Sequence, residues 1–134
     1  MKKLTQIEGI GLSYSKKLAQ AGIGDQSQLL STCSKRSRRE QLARETGISV
    51  KLILKWTNQA DLARIKGVGE EYGELLERTG VDSVPELAQR NAESLCEMIA
   101  KTNHRLHLVR HEPGLNKVSD WIDQAKHLPK VVFH

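Results

Sequence analysis

Two short glycine runs, IEGIG at positions 7–11 and IKGVG at positions 65–69, are the parts of the chain whose residue types could do chemistry. In each run an apolar residue alternates with glycine, which favours a tight bend between two helices. Glycine permits backbone angles that a Cβ would forbid and lets a foreign atom approach the main chain closely. The next helix begins at once, so its unpaired N–H groups point out of the bend and could cradle a phosphate oxygen.

No catalytic constellation accompanies these bends. The carboxylates of residues 70–77 fall on expected helix surfaces without a His or Cys nucleophile in register, and the chain has no metal-binding Asp-x-Asp pair. The glycine runs also lack the Lys-Ser or Lys-Thr pair of a nucleotide-binding P-loop. We therefore expect a protein that is not an enzyme and that carries no cofactor.

The two glycine runs belong to a longer internal repeat. At an offset of 58 residues, identical or similar residues align from Ile7 with Ile65 through Leu29 with Leu87. An insertion of seven residues near positions 103–117 would extend the match to Trp56 and Trp121, which are most simply core anchors. We infer a duplication with one unit in residues 1–60 and one in residues 61–134. Because a unit of about 60 residues is marginally stable alone, we expect one fused bundle.

Helices must position the bends, since the only run with a strand pattern is at positions 131–133. Tyr14, Leu18 and Ala21 recur at steps of four and three, which predicts a helix with one buried face, ended by Gly22. The remaining helices of the first half are expected to begin at Asp25 or Ser27, at Ser34 and at Ser49. Those of the second half are expected at about 70–79, 84–90, 92–102 and 116–127. The sequence therefore predicts an all-α protein.

Charge is divided unequally along the chain. Residues 1–57 carry 11 Lys or Arg and 4 Asp or Glu, a net charge of +7, whereas residues 58–134 carry 10 and 12, a net charge of −2. A basic first half suits a polyanionic partner, and the mildly acidic second half could face a protein partner. No apolar run approaches the roughly 18 residues needed to cross a bilayer. We therefore expect a cytoplasmic protein without a membrane partner.

The densest cationic stretch is SKRSRREQLAR at positions 34–44. Phosphate neutralisation by such a cluster gives salt-sensitive affinity that does not depend on nucleic-acid sequence, although a solvated helix face without a ligand has the same composition. Residues 41–56 could also form a helix-turn-helix that presents Lys51 and Lys55. The cations of the cluster are Lys35, Arg36, Arg38, Arg39 and Arg44.

Residues His104, His107 and His111 invite a zinc hypothesis, but structural zinc needs four ligands and only Glu112 could join them. We therefore expect no metal site and interpret these histidines as part of a basic connector. Cys33 and Cys96 lack a metal-binding or disulfide spacing and are interpreted as buried thiols.

The apolar-Gly-apolar-Gly runs, each followed by a helix that ends near Gly-Ile or Gly-Val, resemble the helix-hairpin-helix motif. Over residues 4–130, including the stretch from RREQLARETGIS to WIDQAKHLP, the chain resembles the domain-of-unknown-function family 4332, which is grouped with the helix-hairpin-helix superfamily. The resemblance implies tandem helix-hairpin-helix (SAM-like) units. It gives an architecture, because the activity of that family is undefined.

In helix-hairpin-helix proteins, the hairpin amides hold DNA backbone phosphates without reading sequence, and some hairpins bind a monovalent cation. Here the resemblance implies amides of Gly9, Ile10, Gly11 and Ser13 as the binding groups, with Lys16 and Lys17 as cationic support. In the second hairpin, Gly67, Val68 and Gly69 keep the bend, but Glu70 and Glu71 stand where a phosphate would come. That copy is therefore expected to be structural.

Two functions remain open at this point. The chain could bind nucleic acid, in particular duplex DNA, through the first hairpin and the basic 35–44 helix. Alternatively, both hairpins could be packing devices in a protein-interaction module that offers its acidic second half to a partner, because glycine bends are needed for helix packing whether or not a ligand binds.

Overall fold

The computed structural model describes residues 2–134, and all the regular secondary structure in that range is helical. The predicted all-α class is confirmed, and positions 131–133 form no strand. None of the helices in this range is both long and apolar enough to span a bilayer. In chain order, a 3-10 turn at Leu4–Gln6 precedes α1 (Leu12–Gln20), α2 (Gln26–Thr32), α3 (Arg36–Thr46), α4 (Val50–Leu62), α5 (Glu70–Thr79), α6 (Val84–Ala88), α7 (Ala92–Leu106) and α8 (Leu115–His127).

Side-chain caps explain some of the helix starts. The Asp25 carboxylate accepts a hydrogen bond from the Gln28 amide at the start of α2, and Ser83 caps α6 in the same way through the Glu86 amide. The predicted start of α3 at Ser34 is wrong by one residue, because Lys35 is the N-cap. The Ser34 carbonyl instead accepts the Phe133 amide at 2.8 Å.

Helix α7 runs four residues further than the predicted end at 102. Its buried positions continue at helical spacing through Leu95, Ile99, Thr102 and Asn103, so the inward face extends the helix to Leu106. The helix ends at His107, which has φ 52° and ψ 47°, the left-handed region that residues other than glycine seldom occupy.

The chain forms two compact units. Unit 1 runs to Asp61 and also contains Val131–His134, and unit 2 comprises Leu62–Lys130. The predicted division at 60/61 places the last four residues with the second half, whereas the structure places them in unit 1. Val132 is buried, and Phe133 donates its amide to the Ser34 carbonyl and accepts the Arg39 guanidinium at its own carbonyl.

Each unit has its own hydrophobic core, and residues related by the repeat occupy both. In unit 1 the core includes Leu18, Ile23, Leu29 and Trp56, each at most 1% exposed. Burial of one such side chain contributes roughly 1.5–3 kcal/mol. The prediction that both tryptophans are core anchors is confirmed. The matching residues of unit 2 are Leu76, Val81, Leu87 and Trp121.

Candidate nucleic-acid interface

The first hairpin is a bend closed by its own backbone. The Ile7 amide donates to the Leu4 carbonyl at 3.0 Å, and the Ile10 amide donates to the Ile7 carbonyl at 3.1 Å. Between them Gly9 has φ +92°, where an L-residue would be strained. Ile7 and Ile10 point into the core, so the bend itself remains exposed.

Among the amides of this bend and of the following helix start, four candidates for binding a ligand have no acceptor within residues 2–134. They belong to Gly9, Gly11, Leu12 and Ser13, and Gly11 as the N-cap has no side chain that could serve them. All four residues are exposed. The predicted role of the Ile10 amide is wrong, because the Ile7 carbonyl already accepts it. The Leu12 amide, which the sequence analysis did not include, takes its place.

Lys16 and Lys17 follow on the second turn of α1, where both are exposed. Neither forms an ion pair within the described part of the chain, and Lys17 Nζ lies 5.9 Å from the centre of the Tyr14 ring. Glu8 places an exposed carboxylate at the same bend and reduces its positive potential.

The buried Trp56 packs against the inner side of the bend. A Cβ added at Gly9 would lie 3.4 Å from Trp56 Nε1, and the Tyr14 ring packs edge-on against Trp56 with the ring centres 5.0 Å apart. Trp56 Nε1 is buried and has no hydrogen-bond acceptor within residues 2–134. Trp56 Nε1 is thus one buried donor without an acceptor directly behind the exposed amides of the bend.

The second hairpin repeats this arrangement. Gly67 has φ +96°, and a Cβ added there would meet Trp121 Nε1 at 3.1 Å. The Val68 amide donates to the Ile65 carbonyl at 3.2 Å, as Ile10 does to Ile7. The Tyr72 and Trp121 rings lie 5.3 Å apart.

The exposed residues around the bend, here called the rim, differ between the two hairpins. The Gln124 side chain accepts the Lys66 amide at 2.8 Å and donates to the Lys66 carbonyl at 3.1 Å, which secures the bend to α8. Glu70 and Glu71 are exposed on the first turn of α5, beside the Gly69 N-cap. The sequence gives no local signal for the Gln124 contact, because it joins residues 58 positions apart.

The basic helix α3 presents fewer cations than its composition suggests. Lys35, Arg36 and Arg38 are exposed, and Arg36 Nε donates to Glu40 at 3.0 Å. The predicted phosphate-binding role of Arg39 is wrong, because its side chain is only 2% exposed.

The Arg39 guanidinium donates instead to three carbonyls, those of Cys33 at 2.9 Å, Ser34 at 3.2 Å and Phe133 at 2.9 Å. Burial lowers the pKa of Arg39 from its ordinary value. A helical stripe could have revealed this inward position, since Arg39 stands three residues before the buried Leu42.

The remaining candidates of the sequence analysis form no metal site in the described part of the chain. Lys51 is exposed and Lys55 is half-buried on α4. Within residues 2–134, no three His, Cys, Asp or Glu side chains are placed to hold a metal ion. Cys33 is fully buried, and burial raises the pKa of its thiol, as it does for the half-buried Cys96.

Comparison with known families gives one result. The model of the family described as Domain of unknown function (DUF4332) matches residues 8–128, which is nearly the whole chain. The chain belongs to this family. No curated protein and no solved structure matches it.

Proposed function

We propose that this member of the DUF4332 family binds the backbone of duplex DNA without sequence preference, through its first hairpin and the exposed cations of α3. The proposal includes a tandem helix-hairpin-helix organisation, a cytoplasmic location and the absence of catalysis. The observation that carries it is the set of unpartnered, exposed amides on Gly9, Gly11, Leu12 and Ser13, followed on α1 by the exposed Lys16 and Lys17, which form no ion pair within residues 2–134.

The chemistry of this arrangement favours an anion. Backbone amides at a helix start, together with the positive end of the helix dipole, are suited to phosphate oxygens. Amides read no base edge, so the expected binding is independent of sequence and follows the spacing of phosphates. The exposed Lys35, Arg36 and Arg38 would add charge neutralisation along the strand.

The alternative is an adaptor module in which both hairpins serve packing alone. The Gln124 contact and the tryptophan beneath each bend favour it, because they give the glycine turns a structural role that needs no ligand. The acidic second half, with Glu70 and Glu71 exposed, would then offer the protein contact.

A salt series with a labelled duplex separates the two functions. DNA binding predicts that log affinity falls linearly with log salt, and that Lys16→Glu with Lys17→Glu weakens binding at least about tenfold. The matched control is Lys101→Glu with Lys126→Glu, two exposed lysines of unit 2, since both variants lower the net charge from +5 to +1. Equal losses in the two variants would indicate nonspecific attraction and favour the adaptor.

The amides can be tested by a proline substitution. Leu12→Pro removes the first amide of α1, and the preceding Gly11 is extended (φ −89°, ψ −171°), a conformation that proline accepts before it. Leu12→Ala is the control, because it removes the same side chain but keeps the amide. We expect Leu12→Pro to bind DNA about tenfold more weakly than Leu12→Ala, as for loss of a charge-assisted hydrogen bond. Equal affinities would remove the amides from the proposal.

A further inference from the structure

The connection between α7 and α8 distinguishes unit 2 from unit 1. It comprises the eight residues 107–114, whereas the connection between α3 and α4 comprises the three residues 47–49. The stretch 101–111, which includes most of this connection, contains three Lys or Arg and three His but no Asp or Glu. It is therefore a basic segment within a unit whose overall charge is negative.

Buried hydrogen bonds hold this connection in one conformation. The Asn103 side chain accepts the Val109 amide at 3.0 Å and donates both to the Val109 carbonyl and to Glu112, each at 3.1 Å. The Tyr72 hydroxyl donates to the His111 carbonyl at 3.0 Å. His107 adopts its left-handed conformation at the start of the segment, and such backbone persists only where surrounding contacts impose it.

A cavity of about 720 Å³ opens between this connection and the start of α5. His107, Arg110 and His111 line it from the connection and supply hydrogen-bond donors, one of them permanently cationic. From α5, Glu71 supplies a single carboxylate, which accepts hydrogen bonds.

Apart from Asn103, whose side chain is engaged with Val109 and Glu112, the rest of the lining is an aromatic and aliphatic wall. Tyr72, Leu108 and Val109 form it, and the Tyr72 ring is itself supported by Trp121. Lys117 Nζ lies 5.3 Å from the centre of that ring, although Lys117 does not line the cavity itself. A ring wall beside cationic donors suits a planar group that carries an anion.

We propose that this cavity binds a nucleoside monophosphate. The phosphate would accept hydrogen bonds from Arg110, whose guanidinium is suited to phosphate oxygens, and from the imidazoles of His107 and His111. The planar base would lie against Tyr72, Leu108 and Val109, and a hydroxyl or exocyclic amine would donate to Glu71. An inorganic anion would leave both the wall and the carboxylate unused. This site lies entirely in unit 2 and does not depend on DNA binding by the first hairpin.

The test is to titrate the full chain separately with adenosine monophosphate, with adenosine and with inorganic phosphate. Calorimetry measures the affinity of each ligand, and NMR spectra monitor the ring signals of the histidines. We expect adenosine monophosphate to bind at least about tenfold more tightly than either part, and to shift the signals of His107 and His111. Absence of binding up to millimolar concentration would overturn the proposal. Equal affinity for inorganic phosphate would overturn it too.

Two arginines of the same segment provide the matched variants. Arg110 lines the cavity, whereas Arg105 is also exposed but does not line it. Arg110→Ala should weaken binding of adenosine monophosphate about tenfold, and Arg105→Ala should leave it within about twofold. Equal affinities of the two variants would contradict the site. The Lys16→Glu with Lys17→Glu protein should bind the nucleotide normally, so that failure of the DNA proposal and failure of this one can be told apart.

Discussion

The two hairpins share an interior and differ at the rim. In both, a left-handed glycine lies on the indole nitrogen of a buried tryptophan, and a tyrosine packs against that indole. At the rim, however, Leu12 and Ser13 of the first hairpin correspond to Glu70 and Glu71 of the second. The interior is what a stable bend requires, so it is the same in both copies. The rim is exposed and is free to differ, so a difference in binding between the two bends themselves would arise there.

The largest expected effect tests the shared interior. Trp56→Ala and Trp121→Ala should each destabilise the chain by about 3–5 kcal/mol, because each removes a fully buried aromatic side chain. Each variant retains a single tryptophan, which reports on the other unit. Thermal unfolding should be followed by that fluorescence and by far-ultraviolet circular dichroism.

This experiment also tests the predicted fused bundle. If the units form one cooperative structure, the two signals should report a single transition at a lowered temperature. In Trp121→Ala, a Trp56 signal that persists after most of the helix signal is lost would show that unit 1 unfolds independently. The fused bundle would then be wrong.

The next largest effect concerns the stability lost when Gly9 or Gly67 is replaced, which should depend on how close the added Cβ lies to the tryptophan beside it. Gly67→Ala should cost about 2–4 kcal/mol and Gly9→Ala about 1–2 kcal/mol, since both force alanine to a positive φ. The added Cβ would be 3.1 Å from Trp121 Nε1 but 3.4 Å from Trp56 Nε1, so the contact is tighter at Gly67. Chemical denaturation of both variants measures the difference. A larger loss at Gly9 would contradict this comparison.

Exchanging the rims tests whether they decide binding. Leu12→Glu with Ser13→Glu should weaken duplex binding about tenfold, through repulsion of phosphate and loss of access to the amides. Glu70→Leu with Glu71→Ser should strengthen it a few-fold at low salt. The control for the first variant is Asn116→Glu with Ser119→Glu, two exposed positions of α8 that receive the same charge. If the control loses as much affinity as the variant, the first rim has no special role.

Short-range patterns account for what could be predicted about these hairpins. The alternating glycines and the helical spacing of apolar residues predicted the bends, the all-α class and the buried tryptophans. Helical spacing could place Arg39 on the inward face of α3, but its contact with the carbonyl of Phe133 could not be read locally, because Phe133 is 94 residues away. The contact of Gln124 could not be read locally either, because its hydrogen bonds with the Lys66 backbone join two distant parts of unit 2. Composition gives the number of cations in a segment, and tertiary packing decides how many reach the surface.

The smallest effect compares the caps that follow the two hairpin helices. Asp25 and Ser83 are related by the same offset of 58, and each accepts an amide three residues later, Asp25 at 2.8 Å and Ser83 at 3.4 Å. Replacement by alanine should cost about 1 kcal/mol in either unit. The loss at Asp25 should be larger, because its bond is shorter and a carboxylate also interacts favourably with the helix dipole. Denaturant midpoints of the two variants measure this difference. Equal midpoints would mean that the charge and the shorter bond of Asp25 add nothing, and that the two caps differ in chemistry but not in strength.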